Sequence, residues 1–332
     1  MVQLLLLTLK LIKMDSNISD KNILITGANG AMARETIKQL IANGATSIVM
    51  ACRSKAKGLI AKKEIEDELG VGNKVNLRVI GGFDMNDPKK IRSAIYSLPN
   101  NLSFDIVFLA AGFAVFSDDY QAVEWDGKRI EKNIFQNLMG SHVTLKLIKE
   151  NNLLKPNARV VIAGGEGARG LKGLIEKPEF STPEELRDYV FLKQTPPYNP
   201  MNAIGVSKFC GALWTKKMAE VFKDEHETIW FSPGLTSGSD GLKTLPPFKR
   251  WFMNNVLFTF MALAGKSQTP QKGGQKFAEC LIGKIGNNGN LIGAPEGKSI
   301  GKFTEQTSMN SALSNQALID EFWKILEELF ET

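Results

Sequence analysis

The sequence predicts an α/β fold: a doubly wound parallel sheet in a single domain, with a helical C-terminal cap. Two observations carry this. Short apolar runs, such as Asn22-Ile23-Leu24-Ile25-Thr26, Ser47-Ile48-Val49-Met50-Ala51 and Asp105-Ile106-Val107-Phe108-Leu109-Ala110, alternate with longer stretches of helical spacing. Strands apolar on both faces belong to a parallel sheet covered by helices on both sides. Right-handed crossovers then give the Rossmann-type order.

Taken in order, the first run ends at Gly27, and residues 33–42 have helical spacing with Gly44 as their stop. The second run, residues 47–51, leads into a charged helix reaching about Leu69. Residues 75–80 read as the third strand, and Asp87-Pro88 opens the next helix, where proline suits the first turn. Residues 105–110 form the fourth strand, 124–150 one long helix and 159–163 the fifth strand.

Residues 164–200 break the rhythm. They hold Gly164, Gly165, Gly167, Gly170, Pro178, Pro183, Pro196 and Pro197, and read as an insertion or lid with a short helix after Thr182-Pro183-Glu184-Glu185. A helix over 202–222 and a strand over 228–231 resume the alternation. Residues 235–332 are expected to supply substrate-side helices and the cap, within a domain spanning 20–332. Residues 1–19 read as an N-terminal extension. The Leu4-Leu5-Leu6-Leu7 run, continued by Leu9, Leu11 and Ile12 and interrupted by Lys10 and Lys13, is too short to span a bilayer, and it lacks the preceding positive charge and following small-residue cleavage site of a signal peptide. Met14 is an alternative start, and a weak membrane-surface anchor is the other reading.

Composition excludes several classes. The formal charge of +6 comes without a block of like charges, and Lys62-Lys63-Glu64-Ile65-Glu66-Asp67-Glu68 is a solvated helix face, not a nucleic-acid footprint. The surplus suits a phosphate-bearing ligand. Cys52, Cys210 and Cys280 are odd in number, far apart and without zinc spacing, which fits reduced thiols in a cytoplasmic setting. His142 and His226 are the two histidines, so no metal site is expected, and no Gly-x-Ser-x-Gly elbow supports a hydrolase.

Thr26-Gly27-Ala28-Asn29-Gly30-Ala31-Met32-Ala33 follows a strand and opens a helix. Backbone N–H groups and the positive helix end would meet a dinucleotide pyrophosphate there. At the end of the second strand, Ala51-Cys52-Arg53-Ser54-Lys55 places a guanidinium where an NAD-binding fold carries an acid. Arg53 would pair with a 2′-phosphate, which favours NADP(H).

With these residues the chain resembles the short-chain dehydrogenase/reductase family. Thr26-Gly27 to Ala33 is similar to the turn of its extended members. Phe83-Asp84 resembles the adenine-contacting acid, Ala110-Ala111-Gly112 the Asn-Asn-Ala-Gly element, and Asn137 the structural and proton-relay asparagine. Ser207-Lys208 matches the end of Tyr-x-x-Ser-Lys, and Ser232-Pro233-Gly234 the turn near the nicotinamide. The resemblance covers roughly residues 20–290. It implies cofactor contacts at Thr26, Gly27, Asn29, Gly30, Ala31, Met32, Arg53, Asp84, Ala110, Ala111, Gly112, Lys208, Pro233 and Gly234. It also implies pairing of subunits through the Asn137 and Lys208 helices, by fold analogy alone.

The catalytic centre departs from the pattern. Four residues before Lys208, where the family's tyrosine stands, the chain has Ile204; the expected serine falls at Gly164 or Gly165. A positioned general acid is worth about 10²–10⁴ in rate. One reading gives the proton to Tyr198 or Glu166, with Lys208 and Asn137 retained in the catalytic set. The other is a silent NADP(H)-binding regulatory or structural subunit. Ser207-Lys208-Phe209-Cys210 and Leu245-Pro246-Pro247-Phe248 are further similar to light-dependent protochlorophyllide oxidoreductases and retinol dehydrogenases. That likeness implies a bulky apolar carbonyl or alkene substrate, with residues 251–263 closing over it or touching a membrane surface.

Overall fold

The computed structural model describes residues 18–99, 101–237 and 265–330. The apolar runs pair in parallel, as their two-faced hydrophobicity requires. β1 (Asn22–Thr26), β2 (Ser47–Ala51), β3 (Asn76–Ile80) and β4 (Phe104–Leu109) form one half of the sheet. β7 (Leu154–Ala163) and β8 (His226–Phe231) continue it on the far side of β4. The spatial order is β3-β2-β1-β4-β7-β8, then β9 (Leu291–Gly293) and β10 (Thr304–Glu305), with β1 paired to both β2 and β4. The order reverses between β1 and β4, the switch point where such sheets bind ligands at their strand ends.

Helices cover both faces. α1 (Ala31–Ala42), α2 (Lys55–Leu69) and α7 (Pro270–Leu281) enclose one core, built on Ile23, Ile25, Ile37, Ile48, Phe108, Phe231 and Phe277. α7 lies close on α1 because Gly274 has no side chain: a Cβ there would stand 2.5 Å from that of Glu35. The opposite core is larger. α3 (Pro88–Tyr96), α5 (Pro183–Val190), α6 (Pro200–Val221) and α8 (Gln316–Phe330) pack there with α4. α4 is continuous through Lys132–Ile134, a π-helical turn Phe135–Met139 and Gly140–Glu150. Pro88, Pro183, Pro200 and Pro270 each stand in the first turn of a helix, where their missing N–H costs no hydrogen bond.

Three expectations change. Residues 124–131 are not helical: β5 (Ala122–Trp125) and β6 (Lys128–Glu131) form an antiparallel hairpin, and the long helix begins only at Lys132. Asp126 (φ 49°) and Gly127 (φ 70°) supply the two left-handed residues that its tight turn needs. The C-terminal part is also not purely a helical cap. β9 (Leu291–Gly293) joins β8 in parallel and β10 (Thr304–Glu305) joins β9 antiparallel, widening the sheet. Finally, Ile18, assigned to the N-terminal extension, is buried in the α1-side core.

The insertion at 164–200 keeps its expected short helix, α5, capped by the Thr182 side chain. Residues 1–17 of the extension, the Leu245-Pro246-Pro247-Phe248 segment and residues 251–263 lie outside the described residues.

α8 seals the outer side of α4 and α6. His142 on α4 has Trp214 of α6 on one side and Trp323 and Phe330 of α8 on the others. Lys146 donates to the Phe330 carbonyl (2.7 Å), and Lys217 of α6 pairs with Asp320 (2.7 Å). Arg187 of α5 bridges Glu321 and Glu328.

Candidate active site

The phosphate turn is held by side chains and glycine geometry. Thr26 Oγ1 donates to Phe108 O (3.5 Å) and accepts from Ala111 N (3.1 Å), tying the ends of β1 and β4. Gly27 has φ +64°, and a Cβ there would lie 2.9 Å from Ala111 Cα, so both backbone and space demand glycine. Gly30 N donates to Gly27 O (2.9 Å), closing the turn. α1 starts at Ala31 with no side-chain cap, which leaves first-turn N–H groups at Ala31 and Met32 without intrahelical acceptors. That is the geometry of an anion site, and the surrounding turn fits a pyrophosphate. Asn29 serves differently: its N–H, with that of Ala28, points to the Cys52 sulfur, while burial pushes this thiol up to about 11.

Arg53 is exposed just past β2, with no ion pair among the described residues. Its carbonyl accepts from Gly82 N (3.2 Å), so the backbone is fixed while the guanidinium is free. Asp84 accepts from Asn86 N (3.1 Å) and Nδ2 (3.3 Å) in a turn below β3. Ala110 and Ala111 follow β4. Gly112 faces Asn137, whose Oδ1 would be 2.5 Å from a Cβ at that position.

Asn137 sits in the π-helical turn. Its Nδ2 donates to Phe113 O (3.0 Å) and Asn133 O (2.8 Å), so it braces the loop after β4. Single π-turns inside α-helices are frequent at functional sites. Lys208 lies on α6, at the end of β7. Its Nζ donates to Ala163 O (3.4 Å) and stands 5.8 Å from the centroid of the Trp230 ring. It forms no salt bridge among the described residues. Burial lowers its ammonium to about 8, opposed by the Glu166 charge.

Glu166 is buried in the turn Glu166–Arg169. Its Oε2 accepts from Ser232 Oγ (2.7 Å) and its Oε1 from Ala294 N (3.2 Å). It thereby joins the ends of β7, β8 and β9. The same carboxylate acts on Lys208, Lys276 and Arg169. Among the described residues it is the one carboxylate that acts on all three cations, while Glu296 also acts on Arg169 and Glu279 on Lys276. The Ser232-Pro233-Gly234 turn is clamped as well: Pro233 O accepts from Gln268 Nε2 (2.6 Å) and Lys276 Nζ (3.1 Å), and Gly234 has φ +94°.

Tyr198 is not brought to Lys208. Its Oη shares a hydrogen bond with Ser117 Oγ (3.0 Å), and its ring meets Tyr120 edge-on at 4.8 Å. It lines a cleft of about 730 Å³ that touches α6 at Asn202 and Val206. At about 100° per residue, Ile204 and Lys208 face some 200° away around that helix. Helix phase separates the two groups, which counting residues back from Lys208 does not reveal.

The lost serine also has a physical cause. A Cβ at Gly164 would stand 2.6 Å from Trp230 Nε1, so the indole occupies the space of a side chain. At Gly165 a Cβ would rest 3.4 Å from the Lys208 stem. Trp230, Lys276 and Gln268 are the site groups that reading the sequence missed. Each lies more than twenty residues from its partners, and none belongs to a short motif.

Among the described residues, no cluster of ligating side chains could hold a metal, and no helix is long and apolar enough to cross a membrane. The KR domain model matches residues 22–122. Human retinol dehydrogenase 11 is 27% identical over 264 residues, which cover 79% of this chain and 73% of that protein. A Mycobacterium paratuberculosis protein of solved structure superposes with a TM-score of 0.65 at 18% identity, covering 95% of both chains. The NADPH-bound structure of a Pseudomonas aeruginosa PAO1 short chain oxidoreductase, described as containing an atypical catalytic center, superposes with a TM-score of 0.55. It is 13% identical and covers 80% of this chain and 91% of its own.

Proposed function

We propose that this chain, which is similar in sequence and fold to short-chain dehydrogenases/reductases, is an NADP(H)-dependent oxidoreductase for a bulky apolar carbonyl or alkene. Its proton donor is a group other than the usual tyrosine. The observation that carries this reading is the uncapped amino end of α1 at the sheet's switch point, with the unpaired Arg53 beside it.

The parts divide as follows. Thr26, Gly27 and Gly30 shape the turn, Ala31 and Met32 present N–H groups to the pyrophosphate, and Asn29 is held beneath them. Arg53 takes the 2′-phosphate and Asp84 stands on the adenine side. Ala110, Ala111 and Gly112 line the floor that Asn137 braces. Lys208 holds the nicotinamide ribose, and Pro233 and Gly234 flank the ring. When bound, the cofactor supplies or accepts a hydride. The cations around Glu166 stabilise negative charge on the substrate oxygen. Tyr198, with Tyr120, serves the neighbouring aromatic cleft.

Calorimetric titration with NADPH and NADH, followed by NADPH oxidation with apolar ketones and enones, tests this. Preferred NADPH binding with turnover supports it, and failure to bind either nucleotide defeats it. Ile204 and the Trp230 indole packed at Gly164 favour a second reading, a silent NADP(H)-binding regulatory or structural subunit. Tight NADPH binding without turnover of any substrate would select that one.

A further inference from the structure

Lys208 is a cation on the end of β7 with unusually little to hold it. Among the described residues its one hydrogen bond is a long one, 3.4 Å, to the Ala163 carbonyl. Glu166, whose charge acts on Lys208, is already engaged by Ser232 Oγ and Ala294 N, and among the described residues no carboxylate lies within ion-pair distance of Nζ. Around it stand the Trp230 ring from β8, the bare backbone of Gly165 along its stem, and Ile204 one helical turn earlier. Arg169 and Lys276 also feel the Glu166 charge, so that carboxylate is not given to the Lys208 ammonium alone. The hydroxyls that would otherwise stand between a lysine and a carbonyl, tyrosine at 204 and serine at 164 or 165, are both absent.

We infer that Lys208 is itself the acid that protonates the substrate oxygen, taking over the tyrosine's step instead of assisting it. This rests on the oxidoreductase reading above. In the reducing direction a hydride, supplied by the reduced nicotinamide, adds to the carbonyl carbon. The C=O π pair moves onto oxygen, and that oxygen takes a proton from Lys208 Nζ, leaving a neutral amine. Water reprotonates the amine before the next turnover. Oxidation runs the steps backwards, with the neutral amine as base. An ammonium displaced to about 8 by burial loses its proton far more readily than an exposed one.

The test begins with the wild-type protein. With ¹³Cε-lysine labelling, one lysine signal is expected to titrate near pH 8, and it should vanish in Lys208→Arg and Lys208→Gln. Lys208→Arg keeps the charge but holds its proton at every working pH. It should still bind NADPH, yet lose about 10²–10⁴-fold in reductive turnover, and the fall in wild-type reduction rate above pH 8 should disappear from its residual activity. Titration of every lysine above pH 10 overturns the proposal, whether or not a variant folds. So does Lys208→Arg turnover at the wild-type rate and pH profile. The reading beneath it fails separately, by wild-type protein that binds no NADPH or binds it and turns over no carbonyl.

Discussion

The indole Nε1 of Trp230 lies 2.6 Å from the place where a Cβ on residue 164 would stand. Glycine is therefore a packing requirement there, and the site cannot regain a serine at that position without moving a buried ring. Gly164→Ser should lower the melting temperature by several degrees, an overpacking cost of about 1–3 kcal/mol. Gly165→Ser, whose Cβ meets the flexible Lys208 stem at 3.4 Å, should be nearly neutral. Scanning calorimetry of the two variants separates them.

Arg53 is exposed and makes no ion pair among the described residues, so its replacement should cost little stability. Arg53→Ala should weaken NADPH binding about 10–100-fold, the loss of a charge-assisted contact of about 1.5–3 kcal/mol, and leave NADH affinity unchanged. Calorimetric titration with both nucleotides reads the difference. Equal losses for the two would remove Arg53 from the 2′-phosphate.

Acid should unfold this protein early. Burial lowers His142 to about 3, with the Lys146 charge adding to the effect, and burial lowers His226 to about 4, both from 6.5. The unfolded chain takes up these protons first, so the contribution is whole above pH 6.5 and is lost as pH falls toward 4 and then 3. At about 1.4 kcal/mol per unit of displacement, His142 alone weighs on the order of several kcal/mol. His142→Phe should flatten the decline in urea-denaturation midpoints between pH 6.5 and 4. A pH dependence identical to wild type would count against it.

The α4 and α6 face, which the family resemblance implies as a pairing surface, is covered here by the chain's own α8. Light scattering should return a monomer's mass, or a dimer that survives substitution on the α4 and α6 surfaces. Removal of residues 316–332 should expose Trp214 and His142 and produce association. A full-length dimer broken by α4 or α6 substitutions would show that α8 yields to a partner.

Much of this architecture was legible because β1, β2 and β4 are apolar on both faces and alternate with stretches of helical spacing, a combination that a parallel sheet covered by helices buries. The β5–β6 hairpin was missed although Asp126-Gly127 is a strong two-residue turn signal, because its charged flanks, Glu124 and Lys128 to Glu131, resemble a helix surface. β9 and β10 are three and two residues long, too short to show any period. The phosphate turn was readable as a local motif. The Glu166 junction was not, since a hydrogen bond to Ala294 spans 128 residues and depends on the order of strands at the sheet's far edge.

That span has a consequence for how the protein comes into being. The carboxylate beside Lys208 gains its second anchor only when residue 294 has been made, and the aromatic wall of α4 and α6 stays bare until the last helix emerges. A growing chain can close the β1–β4 half early, but it holds no finished active site and shows an apolar face that invites chaperones or misassembly. The candidate site is therefore assembled late relative to the β1–β4 half, once residue 294 and the residues of α8 have both been made.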